Sequence, residues 1–368
     1  MALFKTTERV LGIDISVSAV KLMELSRSGQ RYKVEAMAIE PLPEGAMENR
    51  NPSDLDAIAD ALKRAVRTSG TRLKKTAVAV PTSNVITRTI PMPIEYDEDT
   101  IESSIQLDAP NYIPFALEEI YMDFQTQGPS KVSKSTQDVM LVASRQENVD
   151  LRRDVLQGAN LKPLIVDVEA YALENTFQLL QESLIKKEES DGVQLAKSTD
   201  GGLTALVDIG TSITSLYVLR NGKVIFTREQ TFGSEQLTQT IADTYELTRD
   251  RAELAKRSGD LSEDYPTTIL VPFQRSVAEQ INQALQFFFS ADHYGAGNYT
   301  SVGNIVLTGG GAMVAGLDRT VAELLGIPTQ VGNPFVHMGN ASRVNRHSLL
   351  RDGPLFAVAC GLALRSFD

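Results

Sequence analysis

The chain has 368 residues, of which 42% are hydrophobic, and a formal net charge of -11 at neutral pH. This length suits two domains, or one duplicated domain with insertions. The acidic balance argues against broad nucleic-acid binding, which needs basic surface to displace counterions. The single cysteine, Cys360, excludes an internal disulfide and a cysteine-rich metal site.

The ends of the chain carry no sign of membrane insertion. The first ten residues, MALFKTTERV, lack the continuous apolar stretch of a secretory signal. The longest nearly apolar run, Gly353–Leu364, is too short to cross a bilayer. We therefore expect a soluble protein of a reducing compartment, with Cys360 buried, whose link to any membrane depends on a partner.

Short β-branched runs and one amphipathic helix make up the first 83 residues. The predicted elements are strands at Val10–Ile13, Val20–Ser26, Val34–Glu40 and Lys75–Val80, and a helix that begins after an N-cap at Ser53 and runs through Ala65. Residues 84–165 then form a separate α+β module. Its predicted elements are strands at Asn84–Ile90, Tyr121–Gln127, Asp138–Ser144 and Leu164–Val168, and helices at Asp99–Leu107 and Glu147–Gly158.

The second half repeats the alternation of strands and helices. A helix at Val168–Leu184, with a leucine and aromatic stripe that predicts core packing, precedes a polar linker at residues 188–202. Three strands follow within Leu206–Ile225, with a hairpin turn at Asn221-Gly222. The remaining elements are helices at Ser234–Leu247, Arg249–Ser258, Pro272–Ala291, Ala315–Leu325 and Pro354–Arg365, and strands at Ser301–Thr308 and Pro328–Val331.

Two stretches share one design, a strand that ends in an aspartate, a polar turn and a second strand. They are Val10–Leu25 and Leu206–Ile225. In the first, Asp14, Ser18 and Lys21 can present a carboxylate, a hydroxyl and an ammonium group to phosphate and Mg²⁺. In the second, the sequence Asp208-Ile209-Gly210-Thr211-Ser212 offers the same chemistry. Either stretch alone is also typical of an ordinary surface hairpin.

Two further segments could complete a nucleotide site. Gly309-Gly310-Gly311 lies between a predicted buried strand and a helix, where glycine allows a ring or a phosphate to approach the backbone. Glu253, Lys256 and Arg257 share one face of a helix by their spacing and could contact a ribose and a base. Each also has a plain interpretation, a sharp turn and a solvated charged face respectively.

The order of these segments along the chain resembles that of the actin/Hsp70/sugar-kinase ATPase superfamily. The module placed after the first sheet resembles that of the cell-division protein FtsA. The segments LGIDISVSAVKLMEL, LDAPNYIPF, DVMLVASRQENVDLRRDVLQGANLKPLIVDVEAYAL and LVDIGTSITSLYVLRNGKVIFTR resemble the PilM family of type IV pilus assembly proteins.

The resemblance implies an α/β fold with two lobes, an actin/Hsp70-like duplication of a ribonuclease H-like unit, and an inserted FtsA-like α+β subdomain. The implied domains are a first lobe (1–83 and 166–202), the inserted subdomain (84–165), a second lobe (203–232 and 300–352), its own subdomain (233–299) and a closing helix that returns to the first lobe (353–368).

The resemblance also implies a function. A PilM-like protein is cytoplasmic, binds ATP or ADP with Mg²⁺ between its lobes, and holds the N-terminal peptide of the membrane protein PilN between the first lobe and the inserted subdomain. It is thereby recruited to the cytoplasmic face of the inner membrane, where it contacts other platform components and motor ATPases of the pilus.

Roles follow from the resemblance residue by residue. The nucleotide-binding positions are Asp14, Ser16, Ser18, Lys21, Asp208, Gly210, Thr211, Ser212, Glu253, Lys256, Arg257, Gly309, Gly310 and Gly311. Asp14 and Asp208 would hold Mg²⁺ through water, and Glu169 stands where the superfamily carries a water-positioning catalytic residue. The peptide-binding positions are Tyr112, Ile113, Pro114 and Phe115.

One departure from the superfamily concerns turnover. The first turn usually contains a glycine and then a hydroxyl residue, whereas this chain has Ser16 and Val17. Ser16 hinders close approach of a phosphate, and Val17 has no hydroxyl. We therefore expect nucleotide binding with at most weak ATPase activity. An active small-molecule kinase and a polymerising actin-like ATPase are the alternatives.

Overall fold

The structure is a computed structural model that describes residues 8–130, 133–191, 202–290 and 300–368, without the side chains of residues 182–191. Sixteen strands and ten α-helices lie within these ranges. Part of the predicted linker at 188–202 lies outside the described residues.

A six-stranded sheet forms the first lobe. Its strands, in spatial order, are Lys162–Val168 (β10), Lys75–Val80 (β6), Leu11–Ile15 (β1), Ala19–Ser28 (β2), Arg31–Pro41 (β3) and Gly339–Asn340 (β16). β1, β2 and β3 are antiparallel neighbours, whereas β6 runs parallel to β1 and β10 runs parallel to β6. A small hairpin of Met47–Glu48 (β4) and Asn51–Pro52 (β5) lies outside this sheet.

A five-stranded sheet forms the second lobe and repeats this order. Its strands are Lys223–Gln230 (β13), Thr214–Arg220 (β12), Leu203–Ile209 (β11), Asn304–Thr308 (β14) and Thr329–Val331 (β15). Again three antiparallel strands are followed by two parallel ones. The predicted duplication is confirmed, and Asp14 and Asp208 occupy equivalent places near the ends of β1 and β11.

The hairpin turn between β12 and β13 forms as the sequence predicts. Asn221 and Gly222 have φ angles of 54° and 75°. Two successive positive φ angles match the right-handed twist of the flanking strands, and asparagine followed by glycine adopts them at low cost.

Four helices cover the two faces of the first sheet. They are Leu55–Ser69 (α1), Gln146–Gly158 (α3), Glu169–Asp191 (α4) and Ala357–Leu364 (α10). Leu11 and Ile13 pack with α1 and α3, whereas Gly12, on the opposite face, lies against α10. A Cβ atom on Gly361 would lie 1.7 Å from the carbonyl oxygen of Ala172, so glycine lets α10 and α4 pack closely. Cys360 is buried as predicted.

The boundaries of α1 correct one prediction. The N-cap is Asp54, whose Oδ1 accepts a hydrogen bond of 3.0 Å from the backbone N–H of Ala57, and not Ser53. The helix continues past Ala65 to Ser69, where Gly70 ends it in the left-handed conformation.

The inserted unit is a three-stranded sheet in the order Val85–Pro93 (β7), Thr136–Arg145 (β9) and Ile120–Pro129 (β8), covered by Glu98–Asp108 (α2). Its core contains Ile101, Ile105 and Leu141. The predicted boundary at residue 165 is too late, because α3 packs on α1 and β10 joins the first sheet. The insertion therefore comprises residues 85–145.

The second sheet packs against four helices, Glu235–Thr244 (α5), Arg249–Ser258 (α6), Val271–Ser290 (α7) and Leu317–Leu325 (α8). Phe273 and Phe288 of α7 share a core with Val207 and Leu216 of the sheet. Ala291, the predicted end of α7, lies outside the described residues.

The return to the first lobe occurs earlier than predicted. β16 pairs with β3 of the first sheet, and Phe335 and Leu349 pack with Met23 and Leu25. Leu349 belongs to a short helix, Arg346–Arg351 (α9). The last part of the predicted second-lobe segment 300–352 thus contacts the first lobe before α10 begins. α10 itself begins at Ala357, after a 3₁₀ turn at Gly353–Phe356.

No helix within the described ranges is both long and apolar enough to cross a membrane.

Candidate functional site

The first predicted phosphate turn joins β1 to β2. Asp14 and Lys21 are direct partners in the antiparallel register, and Lys21 Nζ donates to Asp14 Oδ2 at 2.7 Å. Their side chains are only 9% and 13% exposed, respectively. Ser16 Oγ accepts a longer bond of 3.3 Å from Lys21 Nζ and donates to the carbonyl of Ala19. Lys21 therefore returns along β2 to the turn, as its spacing predicts.

The second predicted turn joins β11 to β12 and is fastened to α5. The carbonyl oxygens of Gly210 and Thr211 accept hydrogen bonds from the backbone N–H groups of Ser234 and Glu235 at 3.0 and 2.8 Å. A Cβ atom on Gly210 would lie 2.9 Å from the carbonyl oxygen of Ile213. The turn, with Ser212 following Thr211, is therefore held in place by backbone hydrogen bonds.

The two turns meet across the cleft between the lobes. Ser18 Oγ and Thr211 Oγ1 lie 2.8 Å apart, although 193 positions separate them in the chain. The structure thus brings the two predicted phosphate turns together on one site.

The glycine turn lies beside Asp208. Gly309 has a φ angle of 82°, and a Cβ atom there would lie 2.4 Å from Asp208 Oδ1. Gly310 and Gly311 lead into a 3₁₀ turn at Gly311–Met313, and α8 begins only at Leu317. The predicted helix at Ala315–Leu325 therefore begins two residues later than expected, and the backbone of the glycine turn packs closely against Asp208.

Glu253, Lys256 and Arg257 lie together on α6, as their spacing predicts. Lys256 Nζ contacts Glu253 Oε2 at 2.5 Å and donates to Thr238 Oγ1 of α5 at 2.7 Å. Arg257 Nε donates to Glu253 Oε1 at 2.8 Å, with three quarters of its side chain exposed. Thr238 lies on α5, and the start of α5 holds the turn between β11 and β12. The three charged residues of α6 are therefore connected to that turn through Thr238.

Burial and the proximity of other negative charges raise the pKa values of two carboxylates in the cleft. Burial, with the nearby charges of Asp14 and Glu169, raises the pKa of Asp208 to about 6, although Lys21 acts in the opposite direction. Burial also raises the pKa of Glu169. Burial alone would lower the pKa of Lys21, but Asp14, Asp208 and Glu169 outweigh it and the net shift is upward. The lysine therefore stays charged amid three carboxylates.

Sequence reasoning missed an arginine in this cleft. Arg50 pairs through Nη2 with Glu169 Oε2 and through Nη1 with Glu229 Oε1, the latter at 2.5 Å. Glu169, the first residue of α4, is thus committed to an ion pair and is not a free base. The segment Asn49-Arg50-Asn51 reads as an ordinary loop, and its positive φ angles at Asn49 and Arg50 appear only in the structure.

The proposed peptide segment lies in the inserted unit. Ile113 is only 3% exposed and belongs to the core of that unit, so the expectation that it contacts a peptide is wrong. Tyr112 and Phe115 pack partly against the same core, and the guanidinium of Arg145 lies 4.3 Å from the ring centroid of Phe115. Pro114 is exposed.

The donor set fits a magnesium nucleotide better than a metal ion held by protein alone. The described residues contain no group of three or more His, Cys, Asp or Glu side chains arranged to hold a metal. Mg²⁺ commonly retains water and uses one or two carboxylates with substrate phosphates. Asp14 and Asp208 can supply those carboxylates, while Lys21, Ser18 and Thr211 supply phosphate donors.

A family model for the type IV pilus assembly protein PilM matches residues 12–367. The chain belongs to the PilM family. This confirms the resemblance seen in the sequence, and it covers both lobes and the inserted unit. Membership identifies the chain as a type IV pilus assembly protein.

Solved structures extend the comparison. The PilM-family chain is similar to a PilM-PilN type IV pilus biogenesis complex at 28% identity with a TM-score of 0.77, covering 98% of this chain and 99% of that one. It is also similar to the ethanolamine utilization protein EutJ of Carboxydothermus hydrogenoformans, at 14% identity and a TM-score of 0.52, over 97% of this chain and 89% of that one. The two-lobed actin/Hsp70-like fold is confirmed.

A curated relative supports the expected likeness to FtsA. The cell division protein FtsA of Borreliella burgdorferi is 25% identical over 177 residues, which are 43% of this chain and 41% of the relative. The PilM-family chain therefore matches less than half of that protein's length.

Proposed function

We propose that this PilM-family chain binds ATP or ADP as its Mg²⁺ complex in the cleft between the lobes. The 2.8 Å contact between Ser18 and Thr211 carries the proposal, because it joins two turns of equivalent design at one point. Bound Mg²⁺ would neutralise phosphate charge, and the clustered carboxylates favour the magnesium complex over the free nucleotide.

The residues divide into four groups by what they would contact. Lys21, Ser16, Ser18, Gly210, Thr211 and Ser212 would hold phosphates, with Asp14 and Asp208 on the metal through water. Gly309, Gly310 and Gly311 would face the adenosine, and Glu253, Lys256 and Arg257 the ribose and base. A Cβ on Gly309 would lie 2.4 Å from Asp208 Oδ1, so glycine at this position brings the turn next to the carboxylate proposed to hold the metal.

We propose binding with at most weak hydrolysis. Ser16 and Val17 replace the glycine and hydroxyl of the usual first turn. The ion pair of Glu169 with Arg50 further opposes a role in activating water, because the carboxylate is already occupied by the guanidinium group.

The nucleotide-bound chain would serve as a scaffold at the cytoplasmic face of the inner membrane. It would hold the N-terminal peptide of PilN in a groove between the first lobe and the inserted unit, and contact other platform components and motor ATPases. The likeness to a solved PilM-PilN complex at 28% identity supports PilN as the partner.

Titration with a fluorescent ATP analogue in the presence of Mg²⁺ tests the nucleotide site. Asp208→Ala combined with Lys256→Ala should weaken binding by about tenfold or more, since each change removes a charged group from the site. Lys223→Ala, on an exposed side chain of the same lobe, is the control and should bind normally. Equal affinity of the double variant and the control would refute the site.

Fluorescence anisotropy with the labelled N-terminal peptide of the cognate PilN tests the partner. We expect saturable binding that Tyr112→Ala and Phe115→Ala weaken, whereas Leu107→Ala, on the most exposed leucine of the same unit, does not. No binding to the intact chain would remove the peptide proposal. Light scattering that rises with ATP and with protein concentration would indicate a polymerising protein instead.

A further inference from the structure

The side chain of Arg50 joins two separate parts of the molecule. Arg50 lies in the turn between β4 and β5 of the first lobe, and its side chain is only 18% exposed. One guanidinium nitrogen pairs with Glu169 at the start of α4, and the other with Glu229 of β13 in the second lobe. Glu169 lies near Asp14 and Asp208, so Arg50 stands at the edge of the phosphate site.

The backbone carbonyl of Arg50 accepts a hydrogen bond from a buried arginine. Arg152 of α3 is 1% exposed and donates to the carbonyl oxygens of Arg50 and Ala79, both at 2.8 Å. Burial lowers the pKa of Arg152 to about 10, which still leaves it charged at neutral pH. The hydrogen bond from Arg152 holds the carbonyl of Arg50 in a turn where its φ angle is 65°, a left-handed conformation that is unfavourable for a residue with a Cβ.

A chain of amide side chains continues from this turn to the inserted sheet. Asn51 Nδ2 donates to Asn148 Oδ1 at 2.9 Å, and Asn84 Nδ2 donates to Asn51 Oδ1 at 3.2 Å. Ser144 Oγ donates to the carbonyl of Asn84 at 2.8 Å and accepts from Asn148. Asn84 immediately precedes β7 and Ser144 is near the end of β9. Both connections between the first lobe and the inserted sheet therefore pass through this junction.

We propose that Arg50 is a positioning residue that couples the nucleotide cleft to the inserted sheet. The inference rests on the proposed nucleotide binding and adds its regulation. A ligand that changes the distance between the lobes displaces Glu229 relative to Glu169. Because one guanidinium pairs with both carboxylates in a poorly solvated place, Arg50 follows that displacement rather than leave a buried charge unpaired. Because Asn51 follows Arg50 in the chain, a displacement of Arg50 also moves Asn51, whose hydrogen bonds to Asn148 and Asn84 connect it to the inserted sheet.

Hydrogen exchange of residues 85–93 and 136–145, with and without MgATP, measures this coupling. In the unmodified chain we expect MgATP to change exchange in these strands by about fivefold or more, the lower range of ordinary allosteric coupling. Glu229→Gln removes the charge that links Arg50 to the second lobe, and Asn84→Ala breaks the junction. Both variants should lose most of the change.

Two comparisons separate coupling from simple loss of structure. Glu174→Gln is the matched control, because Glu174 of α4 also pairs with β13, through Lys223 at 2.7 Å, without touching Arg50. It should keep the full exchange response. Asn84→Ala should also keep its affinity for the fluorescent ATP analogue, since Asn84 does not contact the phosphate turns.

The outcomes distinguish the two proposals. If the analogue does not bind the unmodified chain, both the proposed function and the coupling are refuted. If it binds but exchange in the two strands is unchanged, or if Glu229→Gln and Asn84→Ala respond as fully as Glu174→Gln, the coupling alone is refuted.

Discussion

Ser18 Oγ and Thr211 Oγ1 are in hydrogen-bonding contact at 2.8 Å across the boundary between the two lobes. Each hydroxyl belongs to a turn that follows an aspartate-bearing strand, β1 in one lobe and β11 in the other. The duplicated sheets are therefore arranged so that equivalent turns face each other, and a phosphate group placed there can contact both lobes.

A double-mutant cycle can measure this contact. Ser18→Ala and Thr211→Val should each destabilise the chain by about 0.5–1 kcal/mol, and the double variant by less than the sum, because both lose the same hydrogen bond. Thr211→Ser keeps the hydroxyl and serves as the control. Urea unfolding of the four proteins gives the coupling energy, and strict additivity would contradict a direct contact.

Lys21 balances the carboxylates of the cleft. Lys21→Met should destabilise the chain by about 3 kcal/mol, because it leaves Asp14 buried without its partner at 2.7 Å. Adding Asp14→Asn should recover part of that loss while phosphate binding remains weak. Denaturant unfolding and titration with the ATP analogue check the two effects, and a double variant less stable than Lys21→Met would argue against the pair.

Gly309 and Gly326 form a matched pair of glycines. Both have positive φ angles, 82° and 67°, but only a Cβ on Gly309 would meet other atoms within 3 Å. Gly326→Ala should cost about 1 kcal/mol from backbone strain, and Gly309→Ala about 3 kcal/mol with loss of nucleotide affinity. Thermal and denaturant unfolding compare them, and equal losses would show that Asp208 is not crowded by the turn.

The pKa of Asp208 predicts a pH dependence of stability. Because this pKa is about 6 in the folded protein against an ordinary 3.8, the folded chain keeps a proton that the unfolded chain releases. The stabilising contribution is fully present below pH 3.8 and is lost as the pH rises through 6. Asp208→Asn should therefore be more stable than the unmodified chain at pH 7.5 by about 2–3 kcal/mol, with little difference at pH 4.

Guanidinium unfolding at the two pH values tests this expectation. Asp260→Asn, on an exposed residue of the same lobe, provides the comparison and should show no such dependence. A constant difference between Asp208→Asn and the unmodified chain across the pH range would mean that Asp208 stays ionised throughout.

Much of the fold was predictable because local chemistry decides it. The Asn221-Gly222 turn, the aspartate-ended strands and the apolar stripe of α4 each follow from residue type and spacing. The boundaries between the inserted unit and the first lobe were not predictable in the same way. Nothing local in β10 or α3 distinguishes an element of the inserted unit from one of the first lobe, since that depends on which apolar surface each one covers.

The sequence by itself determined the two aspartate-bearing turns, the glycine turn and the family, because these depend on residues close together in the chain. Only the tertiary structure decided that Ser18 meets Thr211, that Ile113 is buried, and that Arg50 joins Glu169 to Glu229. Such contacts form when segments that are distant in the chain are buried against each other. Buried charged groups must then pair with whichever groups lie beside them, and the sequence alone does not show which groups those are.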